Sequence, residues 1–423
     1  LGKEEFWKSS PLNNIFNSFR LRGSYGKVGN TAGIGDYVIY SSYGSGLYGG
    51  NSTLGFNFAG NSNLQWETSA KFDVGANFSM LNDKIQVEIT NYKNDISDLI
   101  LNVPQSPSAG VPNAIPTNVG AMYNKGWEFT LTVNPFRTKN FNWNSSLNLT
   151  TNNNQVTSLA PGLTEILSST SGLETVSRTA VGYSLGYLWL VRNGGVDAQT
   201  GRRILLNKAG APVLYQYAPP TGQFQWSNPD GTQYKENNLA ATVTQAKDGV
   251  MYGNTIPRYY GGWDNTFRYK SFDLNVLLTY QFDFYVYYGT NAGLHDQRFW
   301  NNAKDVLTAW KKPGDVTTVP RPVYLDNISN GSGLPMSYNA FKGDFVKLKN
   351  ISLAYSVPAK VLNKVKVSSA RLFVSGQNLA IFTKYPGPDP EVSSNGNSNT
   401  GQGIDRNTIA NGRTITLGLN IGF

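Results

Sequence analysis

The chain has 423 residues, no cysteine and one histidine, with 15% charged and 13% aromatic residues and a formal charge of +9. That composition excludes disulfide frameworks, thiolate metal sites and thiol nucleophiles; a catalytic triad or zinc site would have to use His295 without a second imidazole. No apolar run reaches the roughly eighteen residues of a helical membrane span, and the basic residues are scattered without the Lys/Arg cluster that tracks phosphates, so no nucleic-acid partner is expected.

The start, Leu1-Gly-Lys-Glu-Glu5, has no apolar stretch behind a charged segment and is not read as a signal peptide. Beyond it, the sequence is a series of segments whose side chains alternate apolar and polar, the period of a strand with two different faces. The first lies near residues 19–29. In the second, near 64–80, Trp66, Phe72, Val74, Phe78 and Met80 interleave with Glu67, Lys71 and Asp73. Strands follow near 84–98, 123–134 (Trp127, Phe129, Leu131, Val133) and 141–152 (Phe141, Trp143, Leu147, Leu149). The next are near 258–268 and 271–284, where Phe272, Leu274, Val276, Leu278, Tyr280, Phe282 and Phe284 share a face. The last three lie near 345–357, 369–381 and 412–423, the final one alternating Ile415, Leu417, Leu419, Ile421 and Phe423 with small or polar residues. About eleven residues is the length of a tilted strand crossing a bilayer, and charges in mid-strand require one wet face.

The connections between these strands alternate in length. Short ones cover 81–83, 135–140, 269–270 and 359–368; long ones cover 30–63, 99–122, 153–257, 285–344 and 382–411. A β-sandwich has no reason to segregate loop length this way, whereas an outer-membrane barrel does. The expected fold is therefore all-β, a transmembrane antiparallel β-barrel with long extracellular loops. Counting back from Phe423 at the periplasmic rim puts the short turns inside and the long loops outside. Glu67, Lys71, Asp73, Arg268, Asp273 and Asp283 are expected to line a hydrated lumen. Trp66, Trp127, Tyr259, Tyr260, Trp263, Tyr269, Tyr285, Tyr287 and Tyr288 are expected in headgroup girdles.

Three motifs suggest chemistry and are set aside. Gly44-Ser-Gly-Leu-Tyr-Gly49 fits a dinucleotide fingerprint but lacks the strand before it and the helix after it, and reads as a flexible outer loop. His295, in Gly293-Leu-His-Asp-Gln-Arg298, reads as an ordinary loop residue. Asp389 and Glu391 resemble a glycosidase couple, but they lie in a proline-rich turn and read as structural. The candidate ligand contacts are aromatic: Tyr215, Tyr217, Phe224, Trp226 and Tyr234 in one loop, Phe299, Trp300 and Trp310 in another. Flat rings stack on sugar faces while Asn, Gln and Asp satisfy hydroxyls; the competing role is packing the loops against each other or against a partner.

The segment Phe345-Val-Lys-Leu-Lys-Asn-Ile-Ser-Leu-Ala-Tyr-Ser-Val-Pro358, then Ala370-Arg-Leu-Phe-Val-Ser-Gly-Gln-Asn-Leu379, Phe382-Thr-Lys-Tyr385, Asp389-Pro-Glu391 and the Phe423 ending resemble the C-terminal signature of SusC/RagA-like TonB-dependent outer-membrane transporters. Leu21-Arg-Gly-Ser-Tyr-Gly26, Leu64-Gln-Trp-Glu-Thr68, Asn118-Val-Gly120 and Asn124-Lys-Gly-Trp-Glu128 are similar to the same family in the same order. The resemblance implies a barrel of about 22 strands, of which residues 1–423 would be the C-terminal part, with the plug domain and earlier strands outside this chain. It also implies a TonB protein that energises import through a box in that missing part, and a SusD-like surface lipoprotein that helps capture oligosaccharides or peptides. Phe423 takes the position of the assembly signal. One departure concerns metal: after Asp197-Ala-Gln-Thr-Gly201 the family often carries an aspartate-rich stretch, here reduced to Asn228-Pro-Asp-Gly231. One carboxylate does not make a calcium cage, so neither metal nor other cofactor is expected.

The function expected is TonB-dependent import of a nutrient across the outer membrane, without covalent chemistry. The alternatives are a siderophore or vitamin receptor of the same class, a secreted carbohydrate-binding module or glycosidase, or a scaffold in a larger envelope complex.

Overall fold

The computed structural model describes residues 15–31, 34–103, 108, 115–169, 174–218, 223–229, 240–298, 300–362, 367–396 and 398–423. Ten strands form one sheet in which spatial order equals chain order. They are β1 (Phe16–Asn30), β2 (Glu67–Met80), β3 (Ile85–Ser97), β4 (Ala121–Arg137), β5 (Phe141–Ser158), β6 (Tyr259–Tyr269), β7 (Phe272–Phe282), β8 (Phe345–Ser356), β9 (Ser369–Thr383) and β10 (Thr414–Gly422). Every pairing is antiparallel, and β1 and β10 are the two edges. All ten expected strands are present; the largest difference is β5, which runs six residues past 152 to Ser158.

At one end the turns are tight. Leu81, Asn82 and Asp83 hold φ of 55°, 56° and 62°, and the two-residue turn between β6 and β7 places Lys270 at 51°. Positive φ turns the chain with the twist of the strands it joins. The long connections all leave from the other end.

Register assigns the faces. Running across β2 to β7, Val74, Asn91, Trp127, Thr151, Tyr259 and Phe282 stand in one row, and Ala76, Ile89, Phe129, Leu149, Gly261 and Tyr280 in the next. The opposite face carries Asp73, Thr90, Glu128, Asn148 and Asp264. Across it, Arg22 bonds to Glu88 and Thr90, and Arg268 donates to Asp273 at 2.7 Å. Glu67, Lys71, Asp73, Arg268 and Asp273 thus share the polar face. Asp283 lies just past the end of β7, where Lys342 donates to it at 3.0 Å.

The apolar face is not a core. Leu417 is 80% exposed and Phe423 94%, far too much apolar surface to leave in water. The packed interior sits instead in the long loops. One cluster joins Val191, Leu205, Tyr215, Trp226 and Met336; a second joins Val176, Leu188, Leu190, Tyr287 and Ile404; a third joins Phe284, Val286, Phe345 and Tyr385. These clusters are built on sheets of their own. Glu165–Ser169, Thr175–Ala180, Tyr187–Leu190 and Val250–Gly253 form one; Arg192–Val196, Arg203–Leu206, Pro212–Ala218 and Gln223–Ser227 form another.

Two expectations need correction. Tyr285–Tyr288 is a strand of the loop region, paired with Ala340–Lys342 and lying parallel to Ile404–Asp405, and Tyr287 is fully buried. Its tyrosines serve that packing and not a girdle; Tyr260 lies on the polar face, whereas Trp127, Tyr259, Trp263 and Tyr269 do stand on the apolar face. The glycine-rich 44–49 segment is a hairpin, Ser42–Tyr48 with Asn51–Phe58, turning at Gly49 and Gly50.

Two glycines inside the sheet sit tightest against a neighbouring backbone. A Cβ on Gly126 would overlap the Thr151 carbonyl, and one on Gly261 the Asn148 carbonyl. Each gap is covered by a tyrosine: Tyr92 donates to Thr151 O at 3.1 Å, Tyr280 to Asn148 O at 2.6 Å. Tyr280→Phe removes only that donor and is expected to cost about 1 kcal/mol. Denaturant unfolding of the barrel in detergent measures it; a midpoint within error of the parent would mean that the hydroxyl contributes nothing.

Candidate functional site

At the end of the sheet that carries the long connections, three of them meet around a cavity of about 980 Å3. Glu174, Thr175 and Gln245 come from the β5–β6 connection. Gly289, Asp296, Arg298, Trp300, Asn327 and Ser332, among others, come from β7–β8, and Arg406 and Asn407 from β9–β10. Residues so distant in sequence are held by specific ties. Arg406 forms an ion pair with Glu174, whose side chain is 5% exposed, and reaches the Gly289 carbonyl at 3.4 Å. The Asn407 N–H donates to Thr290 Oγ1 at 2.6 Å. Gln245 donates to the Thr175 and Trp189 carbonyls at 2.7 and 2.8 Å, fixing one wall.

A second ion pair lines the cavity. The Arg298 guanidinium embraces the Asp296 carboxylate, with contacts of 2.9, 3.1 and 2.6 Å. Burial favours the neutral form of Asp296, but hydrogen bonds from Arg298 and Ser332 outweigh it and hold the carboxyl below its ordinary range. Each arginine in the lining therefore has its own carboxylate. The remaining polar groups include the amides of Asn301, Asn327 and Asn407 and the hydroxyl of Ser332, with the Trp300 ring, 58% exposed, at the same surface. Amides, hydroxyls and one exposed ring suit reversible binding of a polar, hydrogen-bonding ligand.

The aromatic candidates fall into different places. Trp300 lines the cavity. Tyr215 is fully buried against Trp226, ring centroids 4.7 Å apart, and burial pushes its hydroxyl pKa up. Trp310 is buried as well; its Nε1 donates to Ala198 O at 2.8 Å, and its ring lies against Gly201. These three rings face protein. Tyr217 is half-buried on the same strand as Tyr215. Tyr234, Phe299, the side chain of Phe224 and residues 230–231 of the Asn228–Gly231 segment lie outside the described residues. Among the described residues no three potential metal ligands cluster.

His295 is buried, its Nε2 2.9 Å from Asp305 Oδ2. Asp389 and Glu391 both bind the buried Lys347 amine, with Asp389 at 2.9 and 3.1 Å, so they clamp the β9–β10 connection to β8. Sequence reasoning missed Glu174, Asp296, Arg298 and Arg406. The only signal they carry is charge within loops otherwise rich in Gly, Asn and Ser.

Residues 7–282 match the family described as TonB dependent receptor-like, beta-barrel. The chain belongs to the TonB-dependent receptors. TonB-dependent receptor P3 of Formosa agariphila is 30% identical over all of this chain, which covers 41% of that relative. TonB-dependent receptor SusC of Bacteroides thetaiotaomicron is 26% identical over 97% of this chain and 38% of its own length. The chain thus spans about two fifths of these relatives. The fold of this receptor chain also matches solved structures of the RagAB peptide transporter, with TM-score 0.75 at 22% identity over 97% of this chain and 41% of that one. The RagAB peptide importer in its closed-closed state gives TM-score 0.77 at 22% identity over 99% and 42%. The apolar outer face and the polar inner face accord with the outer-membrane barrel of a TonB-dependent receptor.

Proposed function

We propose that this chain is the C-terminal part of the barrel of a TonB-dependent outer-membrane importer for oligosaccharides or peptides, working with a SusD-like surface lipoprotein and doing no covalent chemistry. The plug and the TonB-contacting box belong to the further length that the relatives possess. The long loops are extracellular, and Phe423 stands at the periplasmic rim as the assembly signal. The observation that carries this reading is the convergence of three long loops on one polar cavity with an exposed tryptophan, at the end of the sheet away from the tight turns. The names of the relatives, SusC and a peptide importer among them, support the transport class.

In this arrangement Trp300 supplies the stacking surface and the neighbouring amides supply hydrogen bonds. Tyr215, Trp226 and Trp310 contribute by keeping the loops folded. Trp300→Ala in the full-length protein is expected to weaken binding of an oligosaccharide or peptide ligand about tenfold, as loss of one aromatic anchor does. Calorimetric titration of the detergent-purified protein against both ligand classes measures this. Unchanged affinity would remove the cavity from the reading, and hydrolysis of the ligand would replace import by an enzyme.

A further inference from the structure

Among the described residues of β1 to β7 the apolar face has one charged corner, and the register assembles it from separate strands. Lys93 of β3 stands directly opposite Lys125 of β4, on the same face as Phe129 and Leu131. Lys27 of β1 lies in the next row outward, opposite Ala70, with Asp95 following in that row. Among the described residues no other charged side chain falls on this face of β1 to β7. Three cations thus share one carboxylate, Asp95 Oδ2, which lies 2.8 Å from Lys93 Nζ.

Like charges directly opposed across a strand pair are destabilising, and an exposed ion pair such as Lys93–Asp95 offsets little of that. A bound anion relieves the repulsion. The place for one exists: a depression of about 430 Å3 is lined by Asn91, Lys93, Lys125, Trp127 and Tyr259, among others, and at its edge by Arg258, whose guanidinium is paired with Asp283 at 3.5 Å.

The level of the site on the barrel identifies the anion. The Lys93–Lys125 row lies two residues, about 7 Å, beyond the row of Trp127 and Tyr259, and the rows on the far side of that one hold Ile89, Phe129, Leu149, Val87 and Leu131. Aliphatic, aromatic, then basic is the polarity profile of a bilayer from its interior to its headgroups. We propose that Lys93 and Lys125 clamp the phosphate of a membrane lipid in the leaflet on the long-loop side. Trp127 and Tyr259 flank its glycerol or sugar portion, and its acyl chains run down the apolar face. This site is separate from the loop cavity, and it rests only on the membrane-spanning part of the functional reading.

The test uses full-length protein purified in a neutral detergent and titrated with dioctanoyl phosphatidic acid, with the matching diacylglycerol and with inorganic phosphate, bound adducts being read by native mass spectrometry. Phosphatidic acid is expected to bind at least about tenfold more tightly than diacylglycerol. The double variant Lys93→Gln/Lys125→Gln should erase that margin. Lys93→Arg/Lys125→Arg and Lys139→Gln, the latter at the tight-turn end, should keep it. An unchanged margin in the double glutamine variant, or its loss in Lys139→Gln, overturns the site. Inorganic phosphate binding as tightly as phosphatidic acid overturns the lipid in favour of a soluble anion. A chain that is monodisperse without detergent would instead overturn the membrane reading itself.

Discussion

Replacing Lys347 by methionine is expected to detach the β9–β10 connection from the barrel, at a cost of about 3–5 kcal/mol. The amine is 3% exposed and sits on the polar face of β8, opposite Thr279 and Ile381. It pairs with both Asp389, itself 6% exposed, and Glu391. Methionine keeps most of the volume but leaves the buried Asp389 carboxylate, and the partly exposed Glu391 beside it, without their cation, and an uncompensated buried charge costs more than the pair contributes when intact. Removing the carboxylates as well, in Lys347→Met/Asp389→Asn/Glu391→Gln, should recover part of the loss, because the destabilising species is the orphaned charge. Thermal unfolding gives the size of the effect and limited proteolysis its place, with new cleavage in residues 384–413. The same connection carries Arg406 and Asn407 into the cavity, so ligand affinity should fall with it. A triple variant less stable than Lys347→Met would show that the carboxylates act through contacts other than Lys347.

The two halves of the molecule were unequally legible in its sequence. The strands declared themselves because a two-faced sheet imposes period two over about ten residues; Ile415 to Phe423 keeps that period without a break, and Phe272 to Phe282 departs from it only at Leu277. Loop parity followed once the strands were placed. The sheets inside the loops did not declare themselves. Tyr187–Leu190 and Arg203–Leu206 are four residues long, the first buried at three successive positions and the second at alternate ones, too short for any period to stand out. Tyr285–Tyr288 illustrates the ambiguity, since a run of aromatics after a membrane-length strand fits a headgroup girdle and a loop core equally well. Its pairing with Ala340–Lys342 and Ile404–Asp405 decides the matter, and such partners carry no local mark. The cavity was the least legible part. Trp300, named from its residue type as one of several loop aromatics, lines the cavity, but Glu174 and Arg406 meet across 232 positions, and no spacing rule reaches that far.

Arg203→Met is expected to unfold the loop core while leaving the barrel sheet in place. Arg203 is fully buried, and four of the five polar hydrogens of its fork are directed at acceptors. Nε donates to Ser329 O at 2.6 Å, one terminal nitrogen to Asn193 Oδ1 at 3.1 Å and Gly195 O at 3.4 Å, and the other to Thr318 O at 3.1 Å. The guanidinium lies 4.4 Å over the Tyr338 ring. Burial pushes its pKa down to about 10, against the pull of Tyr338 and Asp326, so the group is still charged at neutral pH. These partners belong to two different long connections, which makes Arg203 the junction between them. Methionine fills part of the space and satisfies none of the acceptors, a loss of about 3–5 kcal/mol. Arg203→Lys is not expected to rescue it, because a single ammonium does not reproduce a planar fork with four acceptors around it. The loop cluster of Val191, Leu205, Tyr215, Trp226 and Met336 contains no residue of the barrel strands, so this loss opens the loops locally. Proteolysis should cut the β5–β6 and β7–β8 connections at least about tenfold faster while the strands stay protected and the heat-modifiable mobility of the barrel is unchanged. Ligand binding should disappear together with the loop protection, because the walls of the cavity are anchored to that core. Wild-type proteolysis with lost binding would separate the two, and would place Arg203 in direct service of the ligand instead of in the fold.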